Sequence, residues 1–278
     1  MTIQEIRSHR SSTRTIWRLT LVCLSLSAEI TAQTNYQPPP NPFINATPQE
    51  RAAISLARLK TGEFNDLYVA YIAQAHAVEA TLVLEQLFPS RTDRNEKIKI
   101  ASALVSFGDK NDTYWDYLVQ QATTALEDPP PLSPPPDAQG QEQPEPSPAF
   151  LAWTKAHNVS DEDAVFDYPI PISFLAHTGD RRAIPLLRRA LMAPNFLMQS
   201  EAAAGLASLQ DKASIPLIIA ACKTDPKYSG VIAKSLIYFD VPEAQRAVDL
   251  YLTKDAAKML REARAQGVDA LGLAPSQR

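Results

Sequence analysis

One element recurs along this chain, and it limits the possible folds more than any other feature. The stretch Asp180-Arg-Arg-Ala-Ile184-Pro185-Leu186-Leu187 returns 31 residues later as Asp211-Lys-Ala-Ser-Ile215-Pro216-Leu217-Ile218. Ala190 then aligns with Ala221, and Ala202 with Ala233. The segments that lead into these stretches match as well. Ala103-Leu104-Val-Ser-Phe107-Gly108-Asp109, Phe174-Leu175-Ala-His-Thr178-Gly179-Asp180 and Gly205-Leu206-Ala-Ser-Leu209-Gln210-Asp211 share one pattern. A looser copy, Leu236-Ile-Tyr-Phe239-Asp240, lacks the residue before the aspartate. Self-similarity at about 30 residues is the signature of stacked supersecondary units.

Each position in the unit has a physical reason. Gly108 and Gly179 suit the left-handed turn that ends a helix, where a side chain would clash. The aspartates that follow, Asp109, Asp180, Asp211 and Asp240, read as caps of the next helix, accepting backbone N–H bonds at its positive end. Pro185 and Pro216 fall in a first turn, where the missing N–H costs nothing. Ile184, Leu187 and Leu191 then line one face at helical spacing. A pair of short helices cannot bury both of its faces, so such units must stack. Composition agrees. Only 8 of 278 residues are glycine, too few for the tight hairpins of an all-β protein. With 45% hydrophobic and 21% charged residues, a packed core is within reach. The expected fold is therefore all-α, a solenoid of stacked antiparallel helix pairs.

On these residues the chain resembles the HEAT-repeat family, especially its short bacterial variety of phycobilisome-lyase HEAT-like repeats. The carriers are Asp180 to Leu187, Ala202-Ala203-Ala204-Gly205-Leu206 and Lys212 to Ile218. The likeness is clear over 172–252 and extends more loosely back to about residue 76. It implies an interaction scaffold, since such repeats act through shape. It also implies that the second helix of each pair lines the concave side, which places contacts near 94–99, 199–201 and 227–234.

Domain boundaries follow from composition. Residues 1–32 read as a signal peptide: Arg7, Arg10, Arg14 and Arg18 precede an apolar core, Leu19 to Ala28, and a small-residue exit at Ala32. About ten apolar residues are too few to cross a bilayer. Residues 33–46 form a proline-rich spacer, and Thr47-Pro48-Gln49-Glu50 opens the first helix with a capping box. Helical repeats are expected over 47–127 and again over 149–278. Between them, 128–148 reads as a disordered proline-rich insert, with nine prolines in residues 129–148.

No catalytic constellation is present in the sequence: there is no HExxH, CxxC, GxSxG or phosphate-cradling glycine loop. Four histidines and two cysteines are too few for a conventional zinc framework. His177 reads as a helix-end residue, Cys222 as a buried small hydrophobe, and Asp161-Glu162-Asp163 after Ser160 as a capped acidic first turn. Tyr68, Tyr71, Tyr114, Trp115 and Tyr117 read as core. Arg181, Arg182, Arg188 and Arg189 cover one arc of their helix. They are either its solvated face or a basic patch that docks an acidic partner. A net charge of −4 disfavours nucleic acid as that partner.

The expectation is an exported, periplasmic or extracellular, non-enzymatic HEAT-repeat scaffold for protein–protein interaction. It would have no cofactor, no metal, an unknown protein partner and no membrane span after signal cleavage. The alternatives are a lyase-like enzyme or enzyme subunit, and an envelope protein tethered by an uncleaved N-terminus.

Overall fold

The computed structural model describes residues 41–131 and 146–267. The chain divides into Met1–Pro42 and Phe43–Arg278. The expected signal peptide, residues 33–40 of the spacer and residues 132–145 of the proline-rich insert lie outside the described residues. Among the described residues of the second unit every regular element is helical.

The helices form in the order that the repeat predicts. The first pair is α1 (Pro48–Lys60) and α2 (Asp66–Gln74); the second is α3 (Thr81–Ser90) and α4 (Arg94–Ser106). Next come α5 (Asp112–Glu127), the two short helices α6 (Pro148–His157) and α7 (Asp161–Phe166), and α8 (Ile170–His177). Then follow α9 (Ile184–Ala190) and α10 (Phe196–Ser208), and α11 (Ile215–Cys222) with α12 (Ser229–Ala233), the latter prolonged by the 3-10 segment Lys234–Tyr238. The last pair is α13 (Pro242–Tyr251) and α14 (Lys254–Ala265).

Packing shows which helices are partners. The α5 helix packs on α8, across the insert, and α8 also touches α4 and α10. The insert therefore opens inside the third pair, and the helices before and after it belong to one continuous stack. Residues 148–166 are not a further repeat. Phe150, Trp153 and Ala164 of α6 and α7 make a small core of their own, separate from the main one that runs from Ala52 to Ala257.

The start of α1 follows the sequence rule closely. Thr47 Oγ1 accepts from the Glu50 N–H at 3.3 Å, and Glu50 accepts from the Thr47 N–H at 2.7 Å. The helix ends also follow it. Gly108 and Gly179, with φ of +84° and +68°, terminate α4 and α8 in the left-handed region. His76 and Gln210 take the same conformation, φ +50° and +52°, after α2 and α10. Gln210 carries a side chain there because its Nε2 donates to the Ala207 and Tyr238 carbonyls, at 2.8 and 3.2 Å. The copy that lacks one residue has no left-handed position. It leaves its helix through the 3-10 turn and an extended Phe239 instead.

The aspartate caps need correction. Only Asp180 of the four behaves as expected, accepting from the Arg182 N–H at 2.8 Å to start a single 3-10 turn. Asp109 accepts from the Asn111 N–H at 2.8 Å, and Asn111 is the residue that caps α5. Asp211 makes no side-chain cap. Asp240 precedes Val241, which holds the N-cap position of α13, and caps nothing. Its carboxylate pairs with Arg264 of α14, at 2.8 Å to each of two guanidinium nitrogens. The recurring aspartate thus keeps its place in the turn while its partner changes with the neighbouring helix.

Candidate interaction surface

The four arginines around α9 all make contacts within the protein. Each reaches beyond its own helix. Arg182 Nη2 meets Asp180 at 2.7 Å and Nη1 meets Asp112 of α5 at 3.5 Å. Its guanidinium also lies 4.3 Å from the centre of the Trp115 ring, a cation–π contact. Arg189 donates to the Leu126 carbonyl at the end of α5, at 3.4 Å. In the other direction, Arg181 donates to the Leu209 carbonyl at the end of α10, at 2.9 Å. Arg188 grips both oxygens of Asp211 at 2.8–3.0 Å and donates to Ser214 Oγ at 2.8 Å. Two arginines therefore tie α9 to the third pair, and two tie it to the turn between α10 and α11. The four arginines thus also act as struts within the stack, with Arg181, Arg182 and Arg189 still exposed.

Two of these links have energetic consequences. Asp180 is partly buried, which works to raise its pKa. The side-chain and backbone hydrogen bonds from Arg182, with its charge, outweigh that and hold the carboxyl below its usual value. Stability from this group is present above the ordinary aspartate range and is lost as the pH falls through the lowered value. The side chain of Asp211 is only 9% exposed, against 38% for Arg188. Asp211→Ala is expected to cost about 2 kcal/mol through these charged hydrogen bonds, and Asp240→Ala much less, because Asp240 is exposed. Urea titration of both variants checks the order; equal losses would contradict it.

The surface that remains is built by the second helices. They pack one on the next in unbroken sequence: α2 on α4, α4 on α8, α8 on α10, α10 on Lys234–Tyr238, and that segment on α14. The first helices touch one another more sparsely, and by the expectation from the repeat resemblance the outward side of the second helices is the inner face. Aligned through the repeat, Ser106, His177, Ser208 and Tyr238 hold the same position on four successive helices, and all are half-buried. One turn earlier come Ser102, Ser173, Ala204 and Lys234. Before those stand Lys99, Ile170, Glu201 and Val231.

This face is mostly polar, with Ile170, Ala204 and Val231 among its side chains, and it is stitched across helices. Lys99 pairs with Asp66. Ser102 Oγ donates to the Phe174 carbonyl at 2.8 Å, and Ser173 Oγ to Glu201 at 2.9 Å. His177 has Nδ1 2.5 Å from the Ser173 carbonyl, in keeping with its helix-end reading. The segment 199–201, one of the expected contact regions, is mostly interior. Gln199 and Ser200 are buried, and Gln199 donates to the Leu191 carbonyl at 3.2 Å. Residues 94–99 are also committed to the protein, since Arg94 donates to Gln121 and Lys97 lies over the Phe88 and Tyr117 rings. The inner rows were legible only by carrying the repeat register back along the helices.

The remaining candidates take structural places. Tyr68 and Tyr114 are buried, and Trp115 and Tyr117 pack partly buried against the core. Tyr71 stacks on Phe43. Ser160 Oγ accepts from the Asp163 N–H at 3.0 Å, so the acidic turn is a capped helix start. Cys222 is buried, and burial pushes its thiol up to about 12. Among the described residues, no group of three or more His, Cys, Asp or Glu could hold a metal ion. No helix there is long and apolar enough to cross a membrane.

No curated protein and no solved structure matches the chain. A family model does match, that of the PBS lyase HEAT-like repeat, over residues 198–224. That span runs from the first turn of α10 past the end of α11, across the Gln210–Asp211 turn that carries the repeat. With its helices packed as sequential pairs on either side of that span, the chain is a HEAT-like repeat protein.

Proposed function

We propose that this protein is a non-enzymatic scaffold that holds another protein against the inner face of its second helices, and that it works outside the cytosol. The supporting observation is the recurrence of half-buried polar residues at one register: Ser106, His177, Ser208 and Tyr238. A face of mostly polar side chains, already tied internally, can meet a partner without exposing a broad apolar patch that would aggregate. The four arginines bond to neighbouring helices as well, and this reading places the main partner contact on the face of the second helices.

A photo-crosslinking residue at Ser208 or His177 tests the reading, with the exposed Ala220 of α11 as the outer control. Specific crosslinked species are expected from the inner positions alone; equal capture at all three would overturn it. Mass spectrometry of the mature chain tests the export half. A start at Gln33 is expected, whereas an intact Met1 would favour a tethered envelope protein.

A further inference from the structure

A stack of repeats has two ends, and each end presents a helix face that a neighbour covers everywhere else in the stack. The repeat register identifies that face at the N-terminal end. Tyr71, Ala103, Phe174 and Gly205 each stand five residues before a left-handed position, at His76, Gly108, Gly179 and Gln210. At two of these places the contact is explicit. A Cβ on Gly205 would strike Ala176 of α8 at 2.6 Å. The Phe174 carbonyl of α8 accepts from Ser102 Oγ of α4 at 2.8 Å. Both contacts reach back to the second helix of the preceding pair. Tyr71 holds this position on α2, and among the described residues no second helix precedes α2.

Phe43 stands there instead. Its ring stacks on Tyr71, with centroids 5.3 Å apart and planes inclined by 25°, and on Tyr68 at 6.0 Å and 24°. Arg51 of α1 fastens the same segment. Its Nε donates to the Phe43 carbonyl at 3.1 Å, and its guanidinium lies 5.6 Å from the centre of the Tyr71 ring. Tyr68 is held from its far end, since its hydroxyl donates to Glu63 at 2.6 Å and Glu63 pairs with Arg58 at 2.8 Å. Phe43 is half-buried and packs against the main core, whereas Ile44 beside it is 68% exposed. The second unit of the chain accordingly begins at Phe43, ahead of the first helix at Pro48.

We propose that Phe43 is the N-terminal cap of the stack, an aromatic plug that covers the α2 face in place of a preceding helix and keeps the first pair folded. A terminal pair has a neighbour on one side only, so it has the fewest interface terms to hold it closed. Such a unit opens at the lowest cost unless something covers its free side. Phe43 supplies that cover with two ring contacts and, through Arg51, a link from α2 to α1. Residues 43–46, which read from the sequence as the end of a spacer, then serve the fold itself. A merely local contact would order those residues and leave α2 indifferent to them.

The test is amide hydrogen exchange of the full chain, compared between the wild type and two variants. Phe43→Ala is expected to lower the protection of peptides from α1 and α2 by about tenfold, the scale of two aromatic pairs. Peptides from α10 serve as the internal reference and should not change. Phe43→Tyr keeps the ring and should retain most of the protection. Three results would overturn the proposal: wild-type exchange of α1 and α2 in Phe43→Ala, a loss in α10 as large as in α2, or a loss in Phe43→Tyr that matches Phe43→Ala.

Discussion

Leu187→Ala will lower the unfolding free energy by about 2–5 kcal/mol, the largest loss expected from any single truncation in the fourth pair. Leu187 is fully buried, and it sits on α9 where that helix meets α10 beside Gly205. Its removal leaves a cavity that α8, α9 and α10 cannot close by a small shift, because each is held by a second neighbour. Stack stability is a sum of unit and interface terms, so a void at one junction weakens the pairs on both sides. Leu217 occupies the exposed counterpart of Leu186 in the next pair, at 38% exposure. Leu217→Ala is expected to cost under about 1 kcal/mol. Denaturant titrations should show a lowered midpoint for Leu187→Ala with an unchanged slope. Coincident midpoints for the two variants would contradict this account of the core.

Gly205→Ala should also destabilise, although alanine is the better helix former by about 1 kcal/mol. A Cβ built on Gly205 would lie 2.6 Å from Ala176 Cβ and 3.0 Å from both Ala176 Cα and Leu187 Cδ1. Leu187 is a side chain and can turn aside, but Ala176 Cα is backbone of α8. The two second helices would have to separate. The expected net loss is about 1–3 kcal/mol. Ala176→Gly in the same chain removes the closest clash and should recover a measurable part of it, an interaction that a double-mutant cycle reads directly. A melting temperature that rises in the single variant would mean that α8 and α10 are further apart than described.

Both effects belong to one interface, which explains why part of the molecule was legible beforehand and part was not. Left-handed turns at Gly108 and Gly179, proline in the first turn at Pro185 and Pro216, and the capping box at Thr47 each depend on residues within four positions of one another. Sequence spacing carries such geometry almost whole. The one-residue deletion before Asp240 was visible too, and the 3-10 exit of its helix follows from it. Gly205 was different. It read as part of an alanine-rich motif, and its role as a contact point appears only when α8 is set against α10. Aspartate at the head of each unit likewise looked like a cap, because capping is the commonest local use of that residue. Asp211 and Asp240 were drawn off by arginines 23 and 24 residues away in the chain.

By itself the sequence determined that this protein is helical, that its helices come in pairs of about 30 residues, and where those pairs turn. Such properties rest on short-range sterics and on the periodicity of apolar residues. Tertiary structure alone decided that α5 and α8 are partners across the insert, that α6 and α7 stand aside with a core of their own, and that four arginines serve as struts. Those outcomes depend on which charges and small residues the stack brings within a few ångströms. That distance is set by packing between helices and is written in no single one of them.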